Sequence, residues 1–364
     1  MKRLKALLSR DRGLYLWLLI ACAVTALCVL LRPARGIMNA LAQYVTTPLK
    51  TALAHLCALT SLSVAEVLIL SAVALAVFAL AGLLRRLIRE KHRARLLWRA
   101  LLWTACLAAS LGCAMTLLWG VNYHTDSFQD RSGITARQGT VEELTALAEY
   151  FAAGLSVADG QAPRDENGLF TADRHAVVRA APAIYEAGRA EFPCLRPGAL
   201  TPKEFVCSHA LTAIDFTGFY FPLTGEANLN MDSPVAFLPA TAIHELAHQS
   251  QIASEQECNF VAIAVSIGSD DPLFRYSGWL MGYIHVSNAL YRADPESWQR
   301  IRGTLPEGVI ADIRNNNDYW ASAHTSFTDT TQKLYDSFIR SSGDPNGVRS
   351  YGMVVDLLLA YYGA

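Results

Sequence analysis

Residues 244–248 read His-Glu-Leu-Ala-His, and residues 255–259 read Glu-Gln-Glu-Cys-Asn. Side chains four residues apart lie on one face of an α-helix, so a helix here directs the imidazoles of His244 and His248 at a single zinc ion. Glu245 follows the first histidine and can act as general base toward a zinc-bound water molecule. Catalytic zinc takes three protein ligands and leaves its fourth position to water, so a third ligand is expected nearby.

The third ligand is expected at the start of the next helix. Ser254 is typical of an N-cap, and Glu257, three residues later, is placed to complete a capping box. Because this assigns Glu257 to the backbone, Glu255 is left for the metal, with Asn259 and Glu257 close behind the ligands. In the alternative arrangement, Glu257 binds the metal and Glu255 interacts with the helix dipole.

Three apolar stretches precede this motif, at about residues 13–31, 64–84 and 96–120. Each is close to the roughly twenty residues that a membrane-spanning helix needs. Lysine and arginine are concentrated before the first stretch and between the second and third. Because basic loops remain in the cytoplasm, this pattern predicts a cytoplasmic N-terminus and an extracytoplasmic domain over residues 121–364. We expect a multi-pass protein of the plasma or inner membrane, with the lipid bilayer as a partner.

The first apolar stretch has two other interpretations. A cleaved signal peptide is one, but the apolar run is long and two more follow, which favours an uncleaved anchor. Residues 19–22, Leu-Ile-Ala-Cys, are similar to a lipoprotein processing site that ends at Cys22. The run stays apolar to Leu31, where a lipoprotein would become polar, so lipidation is not favoured.

Composition limits the range of functions. The chain has 364 residues, enough for two domains, with 31 Lys plus Arg and 32 Asp plus Glu. This near balance gives no reason to expect nucleic-acid binding. The mean hydropathy is positive, at +0.22, because of the apolar first third. None of the eight cysteines forms a CxxC pair, and Cys194 with Cys207 is a candidate disulfide.

The sequence after the apolar stretches predicts a mainly α-helical domain with a small β-sheet. Residues 205–221 are rich in aromatic and β-branched side chains, and a turn at Thr224-Gly225 leads into a second extended segment. In zinc peptidases of this general plan, an edge strand beside the metal helix holds the substrate backbone as an added strand. Unless the hairpin is purely structural, the candidate edge consists of Ala227, Asn228, Leu229, Asn230 and Met231.

Helices are predicted on both sides of the motif. Thr140 with Glu143 forms a capping box that opens a helix to about Leu155. A helix at about residues 173–192 is predicted to be interrupted or restarted at Pro182. The remaining helices are predicted over residues 255–266 and 273–293, from Pro295, from Pro306 and over residues 319–340, with the short apolar run 351–362 assigned to the core.

Several segments together resemble the bacterial family called domain of unknown function three-eight-one-zero. They are residues 119–123, 219–228, 244–249, 255–260 and 275–278, and the resemblance extends over nearly the whole chain. It implies a membrane-anchored, zincin-like protein of bacteria. The family carries no established substrate, so the resemblance implies none here.

The motif is also similar to the wider gluzincin pattern, in which HExxH is followed by Glu-x-x-Ala and then Asp or Asn. By this similarity Glu255 is the third ligand and Asn259 supports the ligands from behind. The chain departs from the pattern at Cys258, where alanine is usual. It also lacks a glycine between His248 and Glu255, where related chains often turn. A less sharp turn here would determine whether Glu255 can reach the metal.

We therefore expect a zinc-dependent metallopeptidase in which Glu245 takes a proton from the attacking water and returns it to the leaving amine. Peptide hydrolysis also needs a donor for the developing oxyanion. Tyr276, His285 and Tyr283 follow the motif and are candidates, although each also fits a role in core packing.

Two other functions remain open at this point. One is a membrane sensor that holds zinc for structure, with a fourth protein ligand such as His209 or His324 in place of water. The other is an inactive relative of the peptidases. The peptide or protein substrate, whether a membrane protein or a cell-wall peptide, is not indicated by the residues.

Overall fold

The computed structural model describes residues 11–343 and 354–363. Within these residues the chain is mainly α-helical with one three-stranded sheet, as predicted. Two compact units are present. The first comprises the chain up to Thr51 together with Val64–Thr125 and Pro222–Thr224, and the second comprises Ala52–Ser63, Asp126–Phe221 and the chain from Gly225 onward.

Within the described residues, positions 11–118 form five α-helices. They are α1 (Arg12–Leu31), α2 (Arg35–Leu41), α3 (Thr47–Cys57), α4 (Val64–Arg89) and α5 (Arg93–Leu118). Of these, α1, α4 and α5 are long and apolar enough to cross a membrane, and they coincide with the three predicted stretches. Three such helices near the N-terminus suggest a membrane anchor.

Polar and aromatic contacts join α1 to α5 within the first unit. The indole N–H of Trp17 donates to Ser110 Oγ at 2.9 Å, and the Trp17 ring meets Trp103 edge to face. Five residues before Trp103 in α5, the indole N–H of Trp98 donates to the hydroxyl of Tyr15 at 2.8 Å. These side chains fix the register of the two helices where apolar packing alone would allow them to slide.

The second unit contains the remaining helices. They are α6 (Phe128–Ser132), α7 (Val141–Asp159), α8 (Arg174–Gly188), α9 (Ser208–Ala213), α10 (Leu238–Gln249), α11 (Glu255–Ile267), α12 (Pro272–Ala293), α13 (Pro295–Arg302), α14 (Glu307–Ala323), α15 (Ser326–Ser342) and α16 (Val354–Tyr362). The predicted Thr140–Glu143 capping box is confirmed at the start of α7. The apolar residues of α16 are buried, as predicted, while residues 351–353 of that prediction lie outside the described residues.

Two helix predictions are wrong in their boundaries. Helix α8 continues through Pro182, because four buried side chains around the proline hold the helix in place against its cost of about 3 kcal/mol. The helix predicted over residues 319–340 is divided into α14 and α15. The division falls at Thr325, which caps α15 through its hydroxyl and the backbone N–H of Thr328.

The sheet of the second unit is built from β1 (Lys203–Phe205), β2 (Gly218–Phe221) and β3 (Glu226–Asn230). β3 lies in the centre, parallel to β1 and antiparallel to β2. The prediction that residues 227–231 form an edge is therefore wrong, because β1 covers the side of β3 that the β2–β3 hairpin leaves open. The segment predicted as extended over residues 205–221 also contains α9.

The segment Ala52–Ser63 is hydrogen-bonded to this sheet. Lys203 of β1 is buried, and its Nζ donates to the carbonyl oxygen of Cys57 at 3.1 Å and to that of Thr60. Ser63 Oγ donates to Oδ1 of Asn228 in β3 at 2.6 Å. The segment between α3 and α4 is therefore part of the packing of the second unit.

Helix α10 is enclosed by the rest of the second unit, and every residue from Leu238 to His248 is buried. It packs on β3, α8, α11 and α12. The approach of α12 to α11 depends on Gly278, where a Cβ would lie 2.9 Å from the backbone nitrogen of Ile267. The His-Glu-Leu-Ala-His motif thus lies inside the core. The candidate disulfide is not formed, since neither Cys194 nor Cys207 takes part in a disulfide bond.

Candidate metal centre

The helix predicted for the motif is present and places both histidines together. His244 and His248 lie one turn apart on α10, and their ring centroids are 4.8 Å apart with the ring planes at 81°. Both side chains are buried. Because α10 is apolar on its other faces, packing fixes the direction in which the imidazoles point.

A tight turn joins α10 to α11 without a glycine. Gln251 has φ of 73°, in the left-handed region that glycine usually occupies. The carbonyl oxygen of Ile252, next along the turn, accepts a hydrogen bond from Nδ1 of His248 at 2.9 Å. Since Nδ1 is then the protonated nitrogen, Nε2 of His248 keeps its lone pair for a metal. The missing glycine therefore does not prevent the third ligand from reaching the site.

Glu255, the first residue of α11, completes a group of three. Its Oε2 lies 3.2 Å from Nε2 of His244 and 3.4 Å from Nε2 of His248. The ligand atoms of the three residues all lie within 4.8 Å of one another, and all three side chains are buried. These three residues can hold a metal ion, and His244, His248 and Glu255 are called the metal group below.

The pKa values of Glu255 and His248 show that the carboxylate is negatively charged and can attract a cation. Burial alone would raise the pKa of Glu255, but the charge of His248 and the close approach of both imidazoles hold that pKa well below its ordinary value. Burial alone would lower the pKa of His248, but Cys258 and Glu255 beside it raise that pKa well above its ordinary value. Of these two neighbours Glu255 supplies the charge, because burial raises the pKa of the Cys258 thiol to about 12 and keeps it neutral.

Cys258, where the sequence departs from the wider pattern, is beside the second histidine. Its Sγ lies 3.2 Å from Nδ1 of His248 and 3.4 Å from the carbonyl oxygen of Ile252. The thiol is small and fully buried, so it fills the space between α11 and the turn. The substitution of alanine by cysteine at this position is therefore accommodated by packing behind the ligand.

Glu245 points to the same region from α10. Burial raises its pKa to about 7, although His244 and His248 oppose the rise. Its Oε2 is buried and has no hydrogen-bond partner among the described residues, and the same holds for Oε2 of Glu255. A buried carboxylate oxygen without a donor is costly unless a cation or water contacts it.

Gly218 in β2 is a site residue that the sequence did not reveal. A Cβ built on it would lie 2.8 Å from Oε1 of Glu245 and 2.9 Å from the carbonyl oxygen of Asn228. Only glycine fits between β3 and the general-base candidate. The signal in the sequence was a glycine inside a predicted strand, which indicates a close approach of another group.

Tyr335 is the second residue that sequence reasoning missed. Its hydroxyl donates to Oε1 of Glu255 at 2.8 Å, and its ring meets Phe216 edge to face at 5.0 Å. Tyr335 lies on α15 and is separated from Glu255 by 80 residues. No local spacing predicts such a contact, because it depends on how α15 packs in three dimensions.

The capping box expected for Ser254 and Glu257 is not formed, since the Ser254 side chain makes no capping hydrogen bond. Instead, Glu257 accepts the backbone N–H groups of Phe128 at 3.0 Å and Gln129 at 3.2 Å. Glu257 thus caps α6, and Glu255 belongs to the metal group as predicted. Asn259 is buried one turn after Glu255, and its Nδ2 has no hydrogen-bond partner among the described residues.

The predicted oxyanion donors make other contacts. The Tyr276 hydroxyl donates to Asp312 and accepts from Arg164 at 3.1 Å, while its ring stacks on Phe170 at 5.0 Å. Tyr283 is buried on the same helix, and burial raises its pKa against a hydrogen bond with Ser287. None of these partners belongs to the metal group.

His285, the third candidate donor, is half-buried on α12, and its role stays a prediction. The two candidate fourth ligands pair with carboxylates outside the metal group. His209 Nδ1 lies 2.9 Å from Asp232, and His324 Nε2 lies 3.2 Å from Asp329. Among the described residues, the group of potential ligands has three members and includes neither histidine.

Comparison with known proteins gives one informative result. Residues 42–359 match the family described as Protein of unknown function (DUF3810). No curated protein and no solved structure matches the chain significantly. The match includes α4, α5 and the whole metal group.

Proposed function

Since the chain belongs to the DUF3810 family, which is described as being of unknown function, we propose its function from the site itself: a membrane-anchored, zinc-dependent metallopeptidase. The observation that carries the proposal is the meeting of His244, His248 and Glu255 beside the buried carboxylate of Glu245. Two histidines and a glutamate around one point, with a second glutamate next to the first histidine, form the arrangement used by zinc hydrolases.

The chemistry of the donor atoms favours zinc. Two imidazole nitrogens and one carboxylate oxygen are common ligands of catalytic zinc, whereas magnesium and calcium prefer oxygen ligands alone. Oε2 of Glu255 faces both histidines and lacks a hydrogen-bond donor among the described residues, so a cation would satisfy it. When bound, zinc supplies a Lewis acid that polarises a carbonyl group and lowers the pKa of water.

Glu245 acts in this proposal as general base and then as general acid. It takes a proton from the attacking water and gives it to the leaving amine of the cleaved peptide. Burial raises its pKa to about 7, above that of an ordinary glutamate, which makes the carboxylate a better proton acceptor. Its neighbour Gly218 leaves the space that the carboxylate needs.

Strand β2 supplies the surface for an extended substrate. It is an outer strand of the sheet, and its first residue, Gly218, lies against Glu245. A peptide that added to the sheet beside β2 would pass close to the general base. Strand β2 therefore takes the role that the sequence had assigned to residues 227–231, which are central.

The apolar helices determine where the reaction takes place. Basic residues are concentrated between α4 and α5, which favours a cytoplasmic position for that connection. The chain after α5 is then extracytoplasmic, in the plasma or inner membrane of a bacterium. The substrates that fit this topology are peptides or proteins that are exposed at the outer face of the membrane.

The test compares the full-length protein with its E245Q variant in detergent or nanodiscs. Glutamine has nearly the same shape but cannot take up a proton, so we expect zinc to remain bound while cleavage of a peptide library is lost. The control is E149Q, which changes an exposed glutamate paired with Arg300. If E245Q still hydrolyses peptides, the mechanism is wrong. If the wild type binds zinc and cleaves nothing, the protein is a zinc-binding sensor or an inactive relative.

A further inference from the structure

The two carboxylate oxygens of Glu255 have different surroundings. Oε2 faces Nε2 of both histidines, at 3.2 and 3.4 Å. Oε1 accepts the hydroxyl of Tyr335 at 2.8 Å. The side chain of Glu255 is buried, so neither oxygen is freely hydrated by bulk solvent.

We propose that Tyr335 is a positioning residue that holds Glu255 as a one-oxygen ligand of the metal. This inference rests on the proposed metal site. A carboxylate can bind a cation through one oxygen or through both, and a hydrogen bond to Oε1 makes that oxygen a poorer ligand while directing Oε2 at the cation. A glutamate that binds through one oxygen leaves a coordination position for water, which a hydrolase needs.

Tyr335 is held in position by contacts that neighbouring side chains on the same face of α15 make. Thr328 Oγ1 donates to the carbonyl oxygen of Ala213 at 3.1 Å, and Gln332 Nε2 donates to Asp215 Oδ2 at 3.2 Å. Tyr335 follows after a further three residues. Positions separated by three or four residues lie on one side of a helix, so these side chains together fasten α15 to the end of α9 and to the segment that follows it.

That segment is in turn fastened to the central strand. Phe216, which packs against the Tyr335 ring, accepts a hydrogen bond at its carbonyl oxygen from Nδ2 of Asn230, at 2.9 Å. Asp215 has φ of 64°, a left-handed conformation that turns the chain between α9 and Phe216. A continuous set of contacts therefore runs from β3 through Phe216 to the Tyr335 hydroxyl, and from there to Glu255.

The experiment measures zinc rather than peptide. In the full-length Y335F variant the ring remains and the hydroxyl is lost. Removing a hydrogen bond of this kind to a ligand is expected to weaken zinc affinity about 10- to 100-fold, as determined by competition with a chromophoric chelator. Cobalt(II) in place of zinc should show weaker visible absorption in the variant, because a two-oxygen glutamate raises the coordination number.

Tyr361 provides a matched control. Its hydroxyl donates to Oε1 of Glu191 at the same 2.8 Å, but at the surface and outside the metal group. The Y361F variant should bind zinc with wild-type affinity and give the wild-type cobalt spectrum. Thermal unfolding of the metal-free variants, followed by circular dichroism, shows whether either change affects folding.

Two outcomes separate this inference from the proposed function. If Y335F binds zinc as tightly as the wild type with the same cobalt spectrum, the positioning role is refuted. If Y335F weakens zinc binding as expected but the wild type cleaves no peptide, the positioning role stands and the peptidase function fails.

Discussion

Gly218 and the carboxylate of Glu245 occupy adjoining space: a single added carbon on the glycine would come within 2.8 Å of Oε1. The backbone of Gly218 does not require a left-handed conformation, so only the lack of space forbids a side chain there. Strand β2 therefore leaves room for the Glu245 carboxylate only because residue 218 has no side chain.

The G218A variant should move Glu245 while leaving the three metal ligands in place. A displacement of about 1 Å can cost about 10²-fold in rate, so we expect kcat/KM for a cleaved peptide to fall by about this factor with zinc content unchanged. The control is G160A, where an added Cβ meets nothing closer than 3.5 Å. Wild-type kinetics in G218A would show that Glu245 is not held by β2.

Zinc binding should release a proton from His248. A histidine must be neutral to bind a metal, and the pKa of His248 in the metal-free fold is raised well above 6.5 by Glu255 against the effect of burial. Protonation of His248 therefore stabilises the metal-free fold at low pH, and this stabilisation is lost as the pH rises through the raised pKa. Zinc affinity should accordingly increase with pH across the same interval.

Titration calorimetry at pH 7 in buffers of different ionisation enthalpy counts this proton. Glu245, with a pKa of about 7, also titrates near this pH, so the measurement is made on the E245Q variant, which removes this carboxylate. We expect about one proton released per zinc bound. Binding heats that do not depend on the buffer would contradict the raised pKa.

Removal of the metal should lower the unfolding temperature of the second unit. A ligand present at about 1,000 times its Kd stabilises the folded state by about 4 kcal/mol. A chelator should therefore shift the thermal transition of the wild type downward. The H244A variant, which lacks one ligand, should unfold at the same temperature with and without chelator. An equal response of the two proteins would mean that the chelator acts elsewhere.

Neighbouring glutamates on α11 should respond in opposite ways. E257A removes the acceptor for two backbone N–H groups at the start of α6, which should cost about 1–2 kcal/mol of stability and leave zinc affinity within about twofold. E255A should abolish zinc binding at micromolar concentrations. Thermal unfolding and chelator competition measure the two effects. The reverse result would make Glu257 the third ligand.

Local patterns were sufficient to predict the first part of the site. The geometry of His244, Glu245 and His248 depends only on the repeat of one helix, which the sequence indicates clearly. Glu255 lies beside the two histidines as predicted, but the reason given for it is wrong, because the expected capping box of Ser254 and Glu257 does not form. Glu257 is engaged instead by α6, a helix far away in the sequence.

Contacts between distant segments were not predictable from the sequence. The strand predicted as an edge is central, because β1 pairs with it in parallel. A parallel pairing is not formed through a tight turn, so no local turn sequence predicts it. Tyr335 reaches Glu255 only through the packing of α15 on the segment after α9. The left-handed Gln251 likewise shows that the turn after His248 does not depend on a glycine.

The hydrogen bonds between Ala52–Ser63 and the sheet have a practical consequence for truncation. A fragment that began at Asp126 would omit those residues, which are separated from it in sequence by two apolar helices. Lys203 would then lose the two carbonyl groups that its buried ammonium contacts, and Asn228 would lose Ser63. Soluble expression of the second unit therefore calls for a circular permutation or a short linker that retains Ala52–Ser63.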